Sequence, residues 1–123
     1  MPEAPRSEER FLLPAVTIWI PATLKARNGD LHGRLWDVSQ SGCCLLFPPG
    51  SGLYPGMAGP LMITHPSSNQ MISTGILVHW VDREAGGTYA GCRFTERVDF
   101  KRTFLRTLMH SQQTTRPPGG RLI

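Results

Sequence analysis

Turn-forming residues recur so closely through most of this chain that a helical domain has nowhere to form. Residues 13–25, LPAVTIWIPATLK, are rich in β-branched and aromatic residues with Val16, Ile18 and Ile20 on one face, the signature of a strand. Asn28-Gly29, followed by Asp30, signals a turn, and LHGRLWDVSQSGCCLLF then reads as a second strand, a break at Ser41-Gly42 and a third strand. Beyond the loop PPGSGLYPGMAGP come the short extended LMITHP and the long alternating MISTGILVHWVD. EAGGTY then turns the chain into YAGCRF. Six short strands joined this way predict an antiparallel barrel or sandwich. Only the end has a helical period: Phe100, Phe104 and Leu108, joined by Leu105 and Met109, oppose Lys101, Arg102 and Arg106. That pattern predicts a C-terminal α-helix covering one opening of the barrel.

With 123 residues there is room for one domain and one core. No apolar run approaches the roughly 20 residues that span a bilayer, and MPEAPRSEER lacks the basic-then-apolar layout of a signal peptide. No membrane insertion and a cytoplasmic location are therefore expected. Three cysteines cannot all pair, and Cys43 and Cys44, being neighbours, are badly placed to bridge each other. Cys43, Cys44 and Cys92 read as reduced thiols, the first two on opposite faces of a strand. Without a CxxC pair a zinc site has no support. The net charge of +4 is concentrated at one end, since residues 97–123 carry six of the 13 basic residues against one of the nine acidic ones. A basic patch confined to the tail is a weak basis for specific nucleic-acid binding.

The polar chemistry gathers in two places. In DVSQSG an extended backbone puts Asp37, Ser39 and Ser41 on one face and Trp36, Val38 and Gln40 on the other, beside a flexible Gly42. Such a face suits a polar ligand, although Asp and Ser also stabilise turns through their own backbone. RSEER holds two arginines four residues apart, Arg6 and Arg10, with Glu8 and Glu9 between them as neutralising neighbours. An R-x-x-x-R motif (Arg6, Arg10) followed by D-x-S-x-x-G (Asp37, Ser39, Gly42) resembles the PilZ domain family, and GILVHWVD and YAGCRFTE resemble its later strands. The resemblance runs over roughly residues 6–110.

It implies a six-stranded antiparallel β-barrel that binds the bacterial second messenger cyclic di-GMP as a ligand, without other cofactors and without catalysis. The residue types agree with that ligand. A guanidinium forks onto a phosphate or onto the O6/N7 edge of guanine, and a carboxylate can accept the adjacent N–H donors of guanine's other edge. Extended, Arg6 and Arg10 sit on one side of the chain about 13 Å apart, within reach of one compact ligand. Ser39 can donate to a phosphate or base oxygen, and Gly42 keeps a side chain out of the way. The organisation that follows is a flexible arginine segment (residues 1–12), a barrel with its closing helix (13–110) and a flexible tail (111–123). Ligand binding would order the arginine segment and present a new surface to an unidentified protein effector. Two other classes compete: an adaptor of the same fold that binds no nucleotide, and a small RNA- or DNA-binding barrel. A Ser39–His79–Asp82 hydrolase lacks the nucleophile-elbow pattern.

Overall fold

The computed structural model describes residues 11–12, 19–99, 102–107 and 110–111. Eight strands occur among them: β1 (Phe11–Leu12), β2 (Pro21–Ala26), β3 (Gly29–Val38), β4 (Gly42–Phe47), β5 (Ala58–Thr64), β6 (Met71–Glu84), β7 (Gly87–Phe94) and β8 (His110–Ser111). Strands β2 to β7 close an antiparallel barrel in the order β2-β5-β6-β7-β4-β3, with β3 returning to β2. This is the expected six-stranded barrel. The first barrel strand starts at Pro21, later than expected, with Ile20 tied in by Leu35 N–H donating to its carbonyl at 2.9 Å. Val16 and Ile18 lie outside the described residues.

Local chemistry accounts for the connections. Arg27 and Asn28 form the turn between β2 and β3, and the first residue after it, Gly29, takes φ 134°, a conformation that side chains disfavour. The β3–β4 ladder jumps from Leu35/Leu45 to Asp37/Cys44, making Trp36 a bulge residue, and the β6–β7 ladder likewise jumps between Val78 and Trp80, around His79. In β4 strict alternation survives: Cys43, Leu45 and Phe47 enter the core while Cys44 and Leu46 join a second cluster on the outer face. The two neighbouring thiols thus serve opposite faces, as expected, and all three cysteines are free.

The core of Leu24, Leu35, Val38, Phe47, Ile76 and their neighbours also takes in side chains from outside the barrel strands. Leu53, in the loop between β4 and β5, and Leu105, after β7, are both fully buried. The expected C-terminal α-helix is not what carries Leu105. The described part of that segment is a 3-10 turn, Phe104–Thr107, while Phe100, Lys101, Leu108 and Met109 lie outside the described residues. Arg102 and Arg106 donate their N–H groups three residues back, to Asp99 and Thr103. Thr103 Oγ1 accepts the N–H of Leu105 at 3.3 Å, a local bond that competes with the helical ladder.

Candidate functional site

Asp37, Ser39 and Gly42 meet where β3 turns into β4. Ser39 closes that turn twice: its N–H reaches the Gly42 carbonyl at 2.8 Å and its Oγ donates to the same oxygen at 3.4 Å. The turn is also braced from the β7 side. Phe94 N–H donates to Ser41 O at 2.8 Å, and the Arg97 guanidinium donates to Gln40 Oε1. Gly42 opens β4 opposite Arg93, in extended backbone rather than in a left-handed conformation.

Asp37 and Ser39 are both fully buried. The bulge at Trp36 changes the expected division of faces. Trp36 packs on the outer cluster, Val38 lies in the core and Gln40 is exposed, so these three do not share a face. Asp37 pairs with Cys44 of the outer face on one side and with Leu12 of β1 on the other. Arg6 and Arg10 lie outside the described residues. The described chain nevertheless begins immediately after Arg10, with Phe11 opposite Val38 and Leu12 opposite Asp37. The two residues that directly follow the first motif are therefore paired with the strand that carries Asp37.

Beside Asp37 the outer face carries aromatic surface that sequence reasoning did not assemble. Trp36 meets Tyr89 edge-on, with ring centroids 5.5 Å apart. The Trp80 indole lies over Gly91, where an added Cβ would come within 2.1 Å of it. The indole N–H groups of Trp36 and Trp80 are buried without hydrogen-bond partners. Arg34, on β3 ahead of the bulge, holds its guanidinium 4.2 Å from the ring centroid of Trp19, which is 59% exposed. Burial lowers the Arg34 pKa from its ordinary value, partly opposed by Tyr89, and burial raises that of Tyr89, helped by Cys44 and Glu84. An arginine three residues before Asp37 was visible in the sequence. Its tryptophan partner was not, because Trp19 reaches it only once β2 and β3 have paired.

This end of the barrel gathers a carboxylate and a hydroxyl, both buried, a tightly turned backbone and a neighbouring aromatic cluster. Ser39, His79 and Asp82 are not drawn into a triad. The Ser39 turn is level with Arg93 of β7, whereas Asp82 pairs with Tyr89, four residues or about 13 Å along that strand. Among the described residues no group of three or more His, Cys, Asp or Glu side chains is placed to hold a metal ion. No helix among them is long and apolar enough to cross a membrane.

Comparison with known proteins places the fold. The family model of the PilZ domain matches residues 4–110. Among solved structures, the PilZ domain with c-di-GMP of YcgR from Escherichia coli is similar at 17% identity and TM-score 0.63, over 85% of this chain and 86% of that one. YcgR in complex with c-di-GMP from Escherichia coli is similar at 18% identity and TM-score 0.60, over 85% of this chain and 42% of that one. The Bacillus subtilis inhibitor of motility, MotI/DgrA, is similar at 13% identity and TM-score 0.60, over 87% of this chain and 49% of that one. No curated protein matches in sequence.

Proposed function

The chain belongs to the PilZ domain family, and from that premise we propose that it is a receptor for cyclic di-GMP that passes ligand binding on to a protein partner. The observation that supports the reading is the strand pair beside the second motif: Phe11 and Leu12, directly after Arg10, lie against Val38 and Asp37. Arg6 and Arg10 supply guanidinium forks for phosphate or guanine, Asp37 accepts guanine N–H groups, and Ser39 donates to a phosphate or base oxygen. Gly42 leaves space for the ligand. Binding extends the β1–β3 register by one step, which sets Arg10 opposite Ser39, and the ordered arginine segment becomes the surface a partner reads. The similar PilZ domain of YcgR was solved with c-di-GMP, which supports the choice of ligand.

Calorimetric titration with cyclic di-GMP tests the reading. Arg10→Ala should weaken binding at least about tenfold, because a charge-assisted fork contributes roughly 1.5–3 kcal/mol, while Arg116→Ala should leave it nearly unchanged. Equal affinities for the two variants would overturn the assignment. Full burial of Asp37 and Ser39 favours a second reading, an adaptor of this fold that acts through protein contacts alone. Absence of any binding heat with the wild-type chain would select it.

A further inference from the structure

The outer wall of the barrel can be followed row by row across its ladders, because residues paired on neighbouring strands share a face. One row runs from β3 to β6 through Asp37, Cys44, Gly91 and Trp80. Cys44 and Trp80 belong to the outer cluster, which puts this row on the outside. The next row, Val38, Cys43, Cys92 and Val78, points into the core. One step further the side chains face outward again, and the row is Gly42, Arg93 and Leu77. Ser39 closes onto it through its N–H to the Gly42 carbonyl. The glycine of the D-x-S-x-x-G motif therefore has Arg93 as its neighbour on β7, with backbones about 5 Å apart.

Arg93 stands apart from the other arginines of the barrel strands. Arg34 lies on the Trp19 ring and Arg83 donates to the Leu53 carbonyl, while Arg97, just past β7, donates to Gln40 of the β3–β4 turn. Arg93 is exposed and makes no hydrogen bond or ion pair among the described residues. Its neighbours across the two ladders, Gly42 and Leu77, carry no charge to balance it. Beside it on the same face, the Trp80 indole lies over Gly91, and its N–H is buried without a hydrogen-bond partner among the described residues. Two donors on one stretch of wall thus lack an acceptor.

We propose that Arg93 is a further phosphate-binding residue of the cyclic di-GMP site, holding the ligand from the β7 side while Arg6 and Arg10 close on it from the N-terminal side. The proposal rests on the nucleotide reading and adds to it a residue outside both motifs. A phosphate offers two oxygens in the geometry that the guanidinium fork matches, and its charge balances the cation. A guanine edge is neutral and leaves that charge unbalanced. Arg93 also differs from the motif arginines in being carried by a barrel strand, paired on both sides, so its backbone is in place before the arginine segment orders.

Calorimetric titration of the full chain with cyclic di-GMP, comparing wild type with Arg93→Ala, Arg93→Lys and Arg106→Ala, is the test. Arg93→Ala should weaken binding at least about fivefold, and Arg106→Ala, also exposed, should leave it nearly unchanged. Lysine keeps the charge without the fork, so Arg93→Lys should recover part of the loss but not all of it. Between about 50 and about 500 mM sodium chloride the gap between wild type and Arg93→Ala should narrow, because the contact pairs two charges. Urea unfolding without ligand should give wild type and Arg93→Ala the same midpoint, as expected of an exposed side chain without an internal partner. Wild-type binding that Arg93→Ala leaves intact would overturn this proposal while the nucleotide reading stands, whereas a wild-type chain that binds no cyclic di-GMP would overturn both. A gap that salt does not narrow would replace the phosphate contact with a neutral one, and a lowered unfolding midpoint would assign Arg93 to the fold; either result overturns the proposal.

Discussion

Adding one methyl group at Gly91 probes how the outer face of the barrel is built. A Cβ there would come within 2.1 Å of both Nε1 and Cε2 of Trp80, and the indole is held in place by its cluster with Cys44 and Tyr89. Gly91→Ala should therefore cost about 1–3 kcal/mol, the usual penalty of overpacking, read from urea unfolding. A loss below about 0.5 kcal/mol would mean that the ring does not cover Gly91. Cys92 provides a second test, in pH. The hydrogen bond shared with Cys43, followed by burial, raises its thiol well above the ordinary 9.0. Above pH 9 the unfolded chain sheds a proton that the folded chain keeps, so this contribution is complete below pH 9 and stability falls as pH rises further. One such proton gives a slope of up to about 1.4 kcal/mol per pH unit. Cys92→Ala should flatten the stability profile above pH 9, and an unchanged slope would show that Cys92 is not its source.

At the scale of elements, Leu105 is the informative side chain, because a fully buried residue sits on a single short 3-10 turn. Leu105→Ala should cost about 2–5 kcal/mol in chemical unfolding, whereas exposed Arg106→Ala should stay within about 0.5 kcal/mol. Similar small losses for both would show that the turn does not seal the core. The same segment marks a limit of sequence reading. The i, i+4 spacing of Phe104 and Leu108 shows which side is apolar, but a stretch this short forms a helix only if tertiary contacts favour one, and Thr103 offers Leu105 a competing bond. The barrel strands were legible because turn residues and period-2 alternation agree, as at Asn28-Gly29 and in GCCLLF. The bulges at Trp36 and His79 were not, since no residue type marks an extra residue in a ladder. The first of them is why strict alternation misassigned the faces around Asp37. Pairing of Phe11 with Val38 joins residues 27 positions apart, and nothing local in the sequence announces it.

For the whole molecule, the proposed switch depends on one end of the barrel changing order while the rest stays rigid. The segment MPEAPRSEER offers little apolar surface with which to fix itself, so its order in the bound state has to come from the ligand. Restricting about five residues costs on the order of 5–10 kcal/mol of backbone entropy, which the contacts of Arg6, Arg10, Asp37 and Ser39 must exceed. On this proposal the ordering lowers affinity in exchange for a change of surface that a partner can read. Because β1 lies against Asp37 and Val38, ordering there cannot stay local to the arginines: the β3–β4 turn, braced by Phe94 and by Arg97, must tighten with it. Hydrogen exchange with and without cyclic di-GMP measures this directly. Residues 5–10 and 37–42 should gain protection together, while amides in the centre of β6, paired on both sides by β5 and β7, should change little. Binding that leaves residues 5–10 exchanging at their free rate would eliminate the ordering mechanism while leaving a receptor. Protection spread evenly over all six barrel strands would replace it with global stabilisation by the ligand.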